Sequence, residues 1–124
     1  MKKKRILVVD DEEMVRRLLL NVFKRFSYEV ETAENGVEAI KQIAVKTYDL
    51  IITDYMMPKM DGLELTRKIK TINPSMPVLI ITSNGPEQEL LKNGATACIK
   101  KPFVLSDLNR IAQNILGEWP PSYL

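Results

Sequence analysis

Apolar positions along the chain follow two alternating patterns. Short unbroken runs, the first being Ile6, Leu7, Val8 and Val9, read as strands buried on both faces; between them apolar residues recur at helical spacing. Strands are predicted over Arg5–Val9, 28–33, 49–53, Val78–Thr82 and 96–100. The helix over 12–26 would turn Val15, Leu18, Leu19, Val22 and Phe23 inward and Arg16, Arg17 and Lys24 outward. A second helix begins at Asn35, paired with Glu38 as in a capping box, with Val37, Ile40, Ile43 and Ala44 inside. The third, Gly62–Ile72, buries Leu65, Ile69 and Ile72 and is closed by Asn73, Pro74 and Pro77. A short fourth helix, Glu87–Lys92, ends at Asn93–Gly94 in a left-handed cap. Ser106 caps the fifth, which turns Leu108, Ile111, Ile115 and Leu116 inward and stops at Gly117.

Strands alternating with helices predict an α/β fold: a doubly wound, five-stranded parallel sheet of order 2-1-3-4-5 with helices on both faces. Ligands of such sheets bind at the carboxyl ends of the strands, where the strand order switches. Asp10, Asp54, Thr82 and Lys101 fall at or just past the ends of four different strands, so the fold would gather them on one rim.

Composition narrows the rest. The 124 residues suit one domain, and 18 basic against 16 acidic residues leave a net charge of +2, too balanced to indicate nucleic acid or a membrane surface. The basic start at Lys2, Lys3, Lys4 and Arg5 reads as a solvated lead-in. One cysteine, Cys98, excludes an internal disulfide and fits a reducing compartment; the absence of histidine excludes histidine catalysis or ligation. Four apolar residues before Asp10 are too few for a signal peptide, and no stretch approaches a membrane span, so the expected location is cytoplasmic.

The run "VVDDEE" crowds acids at the mouth of a buried strand. Two carboxylates about 4 Å apart repel by about 4 kcal/mol at an effective dielectric of about 20, so such a cluster needs water or a cation. Helix capping is the plain explanation, since acids before a helix are favoured by about 0.3–1 kcal/mol, and Glu12 and Glu13 fit it. Asp54 does not, because it ends another strand. Asp10, Asp11 and Asp54 would make a three-carboxylate pocket suited to Mg²⁺. Lys101, followed by Pro102 in a bond that adopts the cis form readily, and the Thr82 hydroxyl complete a set fit for phosphoryl transfer.

The chain resembles the receiver domain of two-component response regulators, in the chemotaxis-regulator-like, flavodoxin-like superfamily. The resemblance rests on "ILVVDDEE", "DLIITDYMMPKMDG", "VLIITS" and "GATACIKKPF", in the family's order and spacing. It implies a receiver domain over 4–117; residues 118–124, past the last helix and broken by Pro120 and Pro121, read as a tail or linker stub in which Trp119 is a plain linker residue or a docking candidate. It implies that Asp54 accepts a phosphoryl group from a sensor histidine kinase or phosphotransfer protein. Asp10, Asp11, Asp54 and the Met56 carbonyl would hold Mg²⁺, Asp10 largely through water. Thr82 and Lys101 would bind the phosphoryl oxygens, with Lys101–Pro102 cis, while Met57, Pro58, Asp61 and Gly62 are structural. The domain would switch protein contacts rather than act as an enzyme, bind no nucleic acid or membrane, and serve an unidentified output, with a dimer through the fourth helix, fifth strand and fifth helix as one form.

Two departures bear on that output. The family usually has an aromatic three residues before the lysine, where this chain has Cys98, and the stretch from Thr82 to Lys101 is short, which trims the fourth helix. Inverting a two-state equilibrium from roughly 1:99 to roughly 99:1 takes about 5.5 kcal/mol; without the aromatic, movement around residues 83–86 would have to supply that bias, or the response would be weaker. Three alternatives remain. A degenerate receiver would act by contact alone, an aspartate-nucleophile phosphatase would need an acid where Met56 stands, and a flavin carrier would be repelled by the acids.

Overall fold

In the computed structural model, which describes residues 3–118, five strands and five helices alternate among the described residues. The order along the chain is β1 (Arg5–Val9), α1 (Glu13–Arg25), β2 (Glu29–Ala33), α2 (Gly36–Val45), β3 (Leu50–Asp54), α3 (Gly62–Ile72), β4 (Val78–Thr82), α4 (Glu87–Lys92), β5 (Ala97–Lys100) and α5 (Leu105–Ile115). The sheet is parallel throughout, in the order β2-β1-β3-β4-β5. Trp119, Pro120 and Pro121 of the expected tail lie outside the described residues. No described helix is long and apolar enough to cross a membrane.

Strand alternation divides the core in two. Leu7, Val9, Ile51, Val78 and Ile80 face one side, packed with Ile43, Leu65, Ile69 and Leu90 from α2, α3 and α4. Ile6, Val8, Leu50, Ile52, Leu79 and Ile81 face the other, against Leu19, Phe23, Leu108 and Ala112 of α1 and α5. Burying a side chain of this size contributes about 1.5–3 kcal/mol. That both faces are apolar is why the strands read as continuous runs. Asn35 caps α2 as expected, accepting the Glu38 amide at 2.9 Å, and Gly94 after α4 has φ +108.

Helix faces are narrower or rotated relative to the apolar pattern. Leu18, Val37 and Ile72 are 48%, 39% and 50% exposed, and Ala44 is exposed, whereas Ala39 is fully buried. On α5, Leu108 is buried with Ala112, and Ile111, Ile115 and Leu116 pack only partly. Asn109 and Gln113 are buried beside them, each with a side-chain oxygen lacking a hydrogen-bond partner. Ser106 does not cap α5: the helix begins one residue earlier and Val104 stands at the cap.

Candidate functional site

Parallel register carries the acids to one rim. Val9 pairs with Thr53, and Thr53 with Ile80. The next residues, Asp10 and Asp54, therefore leave neighbouring strands together. Thr82 ends β4 opposite Lys100, and Lys101 follows. Carboxylate oxygens of Asp10, Asp11 and Asp54 all lie within 4.8 Å of one another. Asp10 and Asp54 are 2% and 7% exposed, while Asp11 is open to water. Lys101 Nζ stands 3.0 Å from Asp54 Oδ1.

Local bonds explain how Asp10 is held. Its Oδ1 accepts the Glu12 amide at 2.9 Å, a turn that leads into α1. Its main-chain carbonyl accepts Arg16 Nη1 at 2.7 Å. Arg16, expected to point outward, thus reaches back to the pocket; no residue pattern announces that contact. Glu12, at the cap of α1, makes no side-chain cap bond. Capping therefore accounts for one oxygen of Asp10 and for neither Asp11 nor Asp54.

Burial pushes the Asp10 carboxyl up to about 6; the Glu12 amide opposes this, the Asp54 charge adds to it, Lys101 opposes and Asp11 adds. Burial also works against the Lys101 charge, but the hydrogen bond and charge of Asp54, with Asp10 and Glu12 beyond, hold the ammonium above the ordinary lysine range. The pocket holds negative charge at a cost, and its hard oxygen donors fit a small divalent cation.

The turn after Asp54 is built for close approach. A Cβ on Gly62 would lie 2.7 Å from the Asp54 carbonyl oxygen, and the Gly62 amide donates to the Tyr55 carbonyl at 2.7 Å. Asp61 caps α3 by accepting the Glu64 amide at 2.8 Å, and Met57 is buried. Met56, two residues after Asp54, is 69% exposed. Thr82 is buried, its Oγ1 accepting the Gly85 amide at 2.6 Å, and the Lys101–Pro102 bond is cis. Cys98 pairs with Ile80 and packs partly against the core; burial, with the Glu87 charge, raises its thiol pKa. α4 has six residues, as short as expected. Asp10, Asp11, Asp54, Thr82 and Lys101 thus share one rim.

A family model for the response regulator receiver domain matches residues 6–113, and the chain belongs to that family. It is 40% identical over 106 residues to the sensor protein EvgS of Escherichia coli (strain K12), covering 83% of this chain and 9% of that protein. It is 39% identical over 107 residues to the response regulator MprA of Mycobacterium sp. (strain KMS), covering 84% of this chain and 46% of that one. The chain therefore spans less than half the length of these relatives. Among solved structures, a response regulator receiver domain protein from Clostridium thermocellum superposes with a TM-score of 0.87 at 31% identity, covering 93% of this chain and 95% of that one. The response regulator TrrA from Thermotoga maritima, solved in complex with Mg(2+)-BeF, gives 0.84 at 34% identity, over 90% and 98% of the two chains.

Proposed function

We propose that this receiver domain, residues 4–117, accepts a phosphoryl group on Asp54 from a phosphohistidine of a sensor kinase or phosphotransfer protein, in the cytoplasm. A carboxylate oxygen of Asp54 attacks phosphorus, the phosphorus–nitrogen bond breaks, and the electron pair leaves with the donor imidazole. Lys101 and Thr82 hold the equatorial oxygens of the transferred group. Asp10, Asp11, Asp54 and the Met56 carbonyl would hold Mg²⁺, which when bound neutralises charge on acceptor and donor. The observation that carries the reading is the meeting of three carboxylates within 4.8 Å, with Lys101 3.0 Å from Asp54.

The output surface is α4, β5 and α5, where Leu91 is exposed and Cys98 replaces the bulky aromatic. A phosphatase would need a proton donor where Met56 stands, so the domain catalyses turnover of its own phosphoryl group alone. The test is intact mass after acetyl phosphate and Mg²⁺. One added phosphoryl group, labile to hydroxylamine and absent from Asp54→Asn, is the expected result; an unmodified folded protein would leave a binding module acting by contact alone. Met56 cannot position water, so the phosphorylated state is long-lived. Met56→Asn should shorten its decay several-fold, and a variant no faster than the parent refutes that point.

A further inference from the structure

The stretch "TSNGP", residues 82–86, places a glycine before a proline, where the backbone is normally extended. The glycines of positive φ are Gly94 and Gly117, so Gly85 is not required by a left-handed conformation. Space requires it. A Cβ there would overlap Thr82 Oγ1 and lie 3.1 Å from both Thr82 Cβ and Tyr55 Cδ2. The turn is thus closed between the Thr82 side chain and the Tyr55 ring. Tyr55 is itself tied to β4, its amide donating to the Ile81 carbonyl at 2.9 Å.

The close approach lets the Gly85 amide donate to Thr82 Oγ1 at 2.6 Å. A hydroxyl has one proton and two acceptor sites. Once the Gly85 amide occupies an acceptor site of this buried hydroxyl, the proton is left to be given away. We propose that Gly85 is a positioning residue for Thr82: its amide, backed by Tyr55, orients the hydroxyl so that its proton is presented to an oxygen of the group on Asp54. This rests on the role given to Thr82 above and adds the device that aims it. It also locates a link between pocket and β4–α4 turn that needs no aromatic at position 98.

The experiment titrates beryllofluoride with Mg²⁺ into the parent, Gly85→Ala, Thr82→Val and the double variant, followed by NMR. Gly85→Ala and Thr82→Val should each weaken binding about tenfold, the loss of one hydrogen bond to a charged group. The double variant should be no weaker than Thr82→Val, because Gly85 acts through the hydroxyl that is gone. In the ligand-free parent the Gly85 amide proton should be protected from exchange, and Thr82→Val should expose it without altering the β-sheet resonances. Parent-like binding by Gly85→Ala, or an undiminished further loss in the double variant, overturns the proposal. A parent that does not bind removes the acceptor reading and this one together, whereas a binding parent with an indifferent Gly85→Ala removes this one alone. Should Gly85→Ala not fold, the Gly85 amide in Thr82→Val decides: protection unchanged from the parent refutes the contact.

Discussion

The two ends of the sheet treat charge in opposite ways. At the amino-terminal end Arg5 meets partners one by one: its amide donates to Asp49 Oδ2 at 2.8 Å, and its guanidinium reaches Glu29 at 3.1 Å and the Thr47 carbonyl at 3.3 Å. Close by, Glu31 accepts from Tyr48 Oη at 2.6 Å and Lys46 Nζ at 2.9 Å. The Arg5–Glu29 pair is half open to water. At the carboxyl-terminal end three acids crowd together, two of them buried, and among the described residues Lys101 pairs with Asp54 alone. Paired, hydrated charges cost the fold little. Like charges held together in a desolvated pocket cost the fold stability, which a bound cation would offset.

Breaking the carboxyl-terminal rim at Asp54 should have the largest effect. Asp54→Asn should abolish the mass gain with acetyl phosphate while leaving the far-ultraviolet circular dichroism unchanged; a persisting modification would move the acceptor elsewhere.

Asp10→Asn sharpens the contrast by sign. The folded state binds the Asp10 proton up to about pH 6, against 3.8 ordinarily. Stability from this group is thus full below pH 3.8 and lost as pH rises through 6. Without divalent cation at pH 7, Asp10→Asn should be the more stable protein by about 2–3 kcal/mol, an advantage that vanishes below pH 4. The amide keeps an oxygen for the Glu12 N–H. Urea denaturation with a chelator measures this, and added Mg²⁺ should favour the parent instead.

At the other end, burial and the Glu31 carboxylate raise the Tyr48 hydroxyl to about 12 from 10.0. Folding retains that proton, so stability is constant below pH 10 and falls by about 2 kcal/mol as pH rises to 12. In Tyr48→Phe that part of the alkaline decline should disappear; an unchanged alkaline curve would refute it. Smallest of all, Glu29→Gln should cost under about 1 kcal/mol, shrinking as salt is added. A cost of several kcal/mol would mean that the amino-terminal rim is not the well-solvated one.

Strand and helix positions were legible in the chain because both are local consequences of apolar spacing. Strands buried on both faces are continuously apolar, and runs as short as "LIIT" and "ILVV", rich in β-branched residues, suit a strand better than a helix. The width of a helix's buried stripe is not local. Leu18, Val37 and Ile72 continue apolar patterns yet remain partly open, because burial depends on what neighbouring elements cover. Ser106 is a good capping residue that the chain does not use, since α5 starts one residue earlier.

The chemistry divides in the same way. Asp10, Asp11, Asp54, Thr82 and Lys101 announced themselves because a doubly wound sheet brings strand ends to one rim, so position along the strand already implies position in space. The sequence alone therefore determined the fold, the family and which acids meet at the rim. Only the tertiary structure decided that Asp10 is buried enough to resist ionisation, that Arg16 turns back to its carbonyl, and that Gly85 leaves room for its amide to reach Thr82. Desolvation and close approach arise from atoms distant in the chain, and no local pattern encodes them.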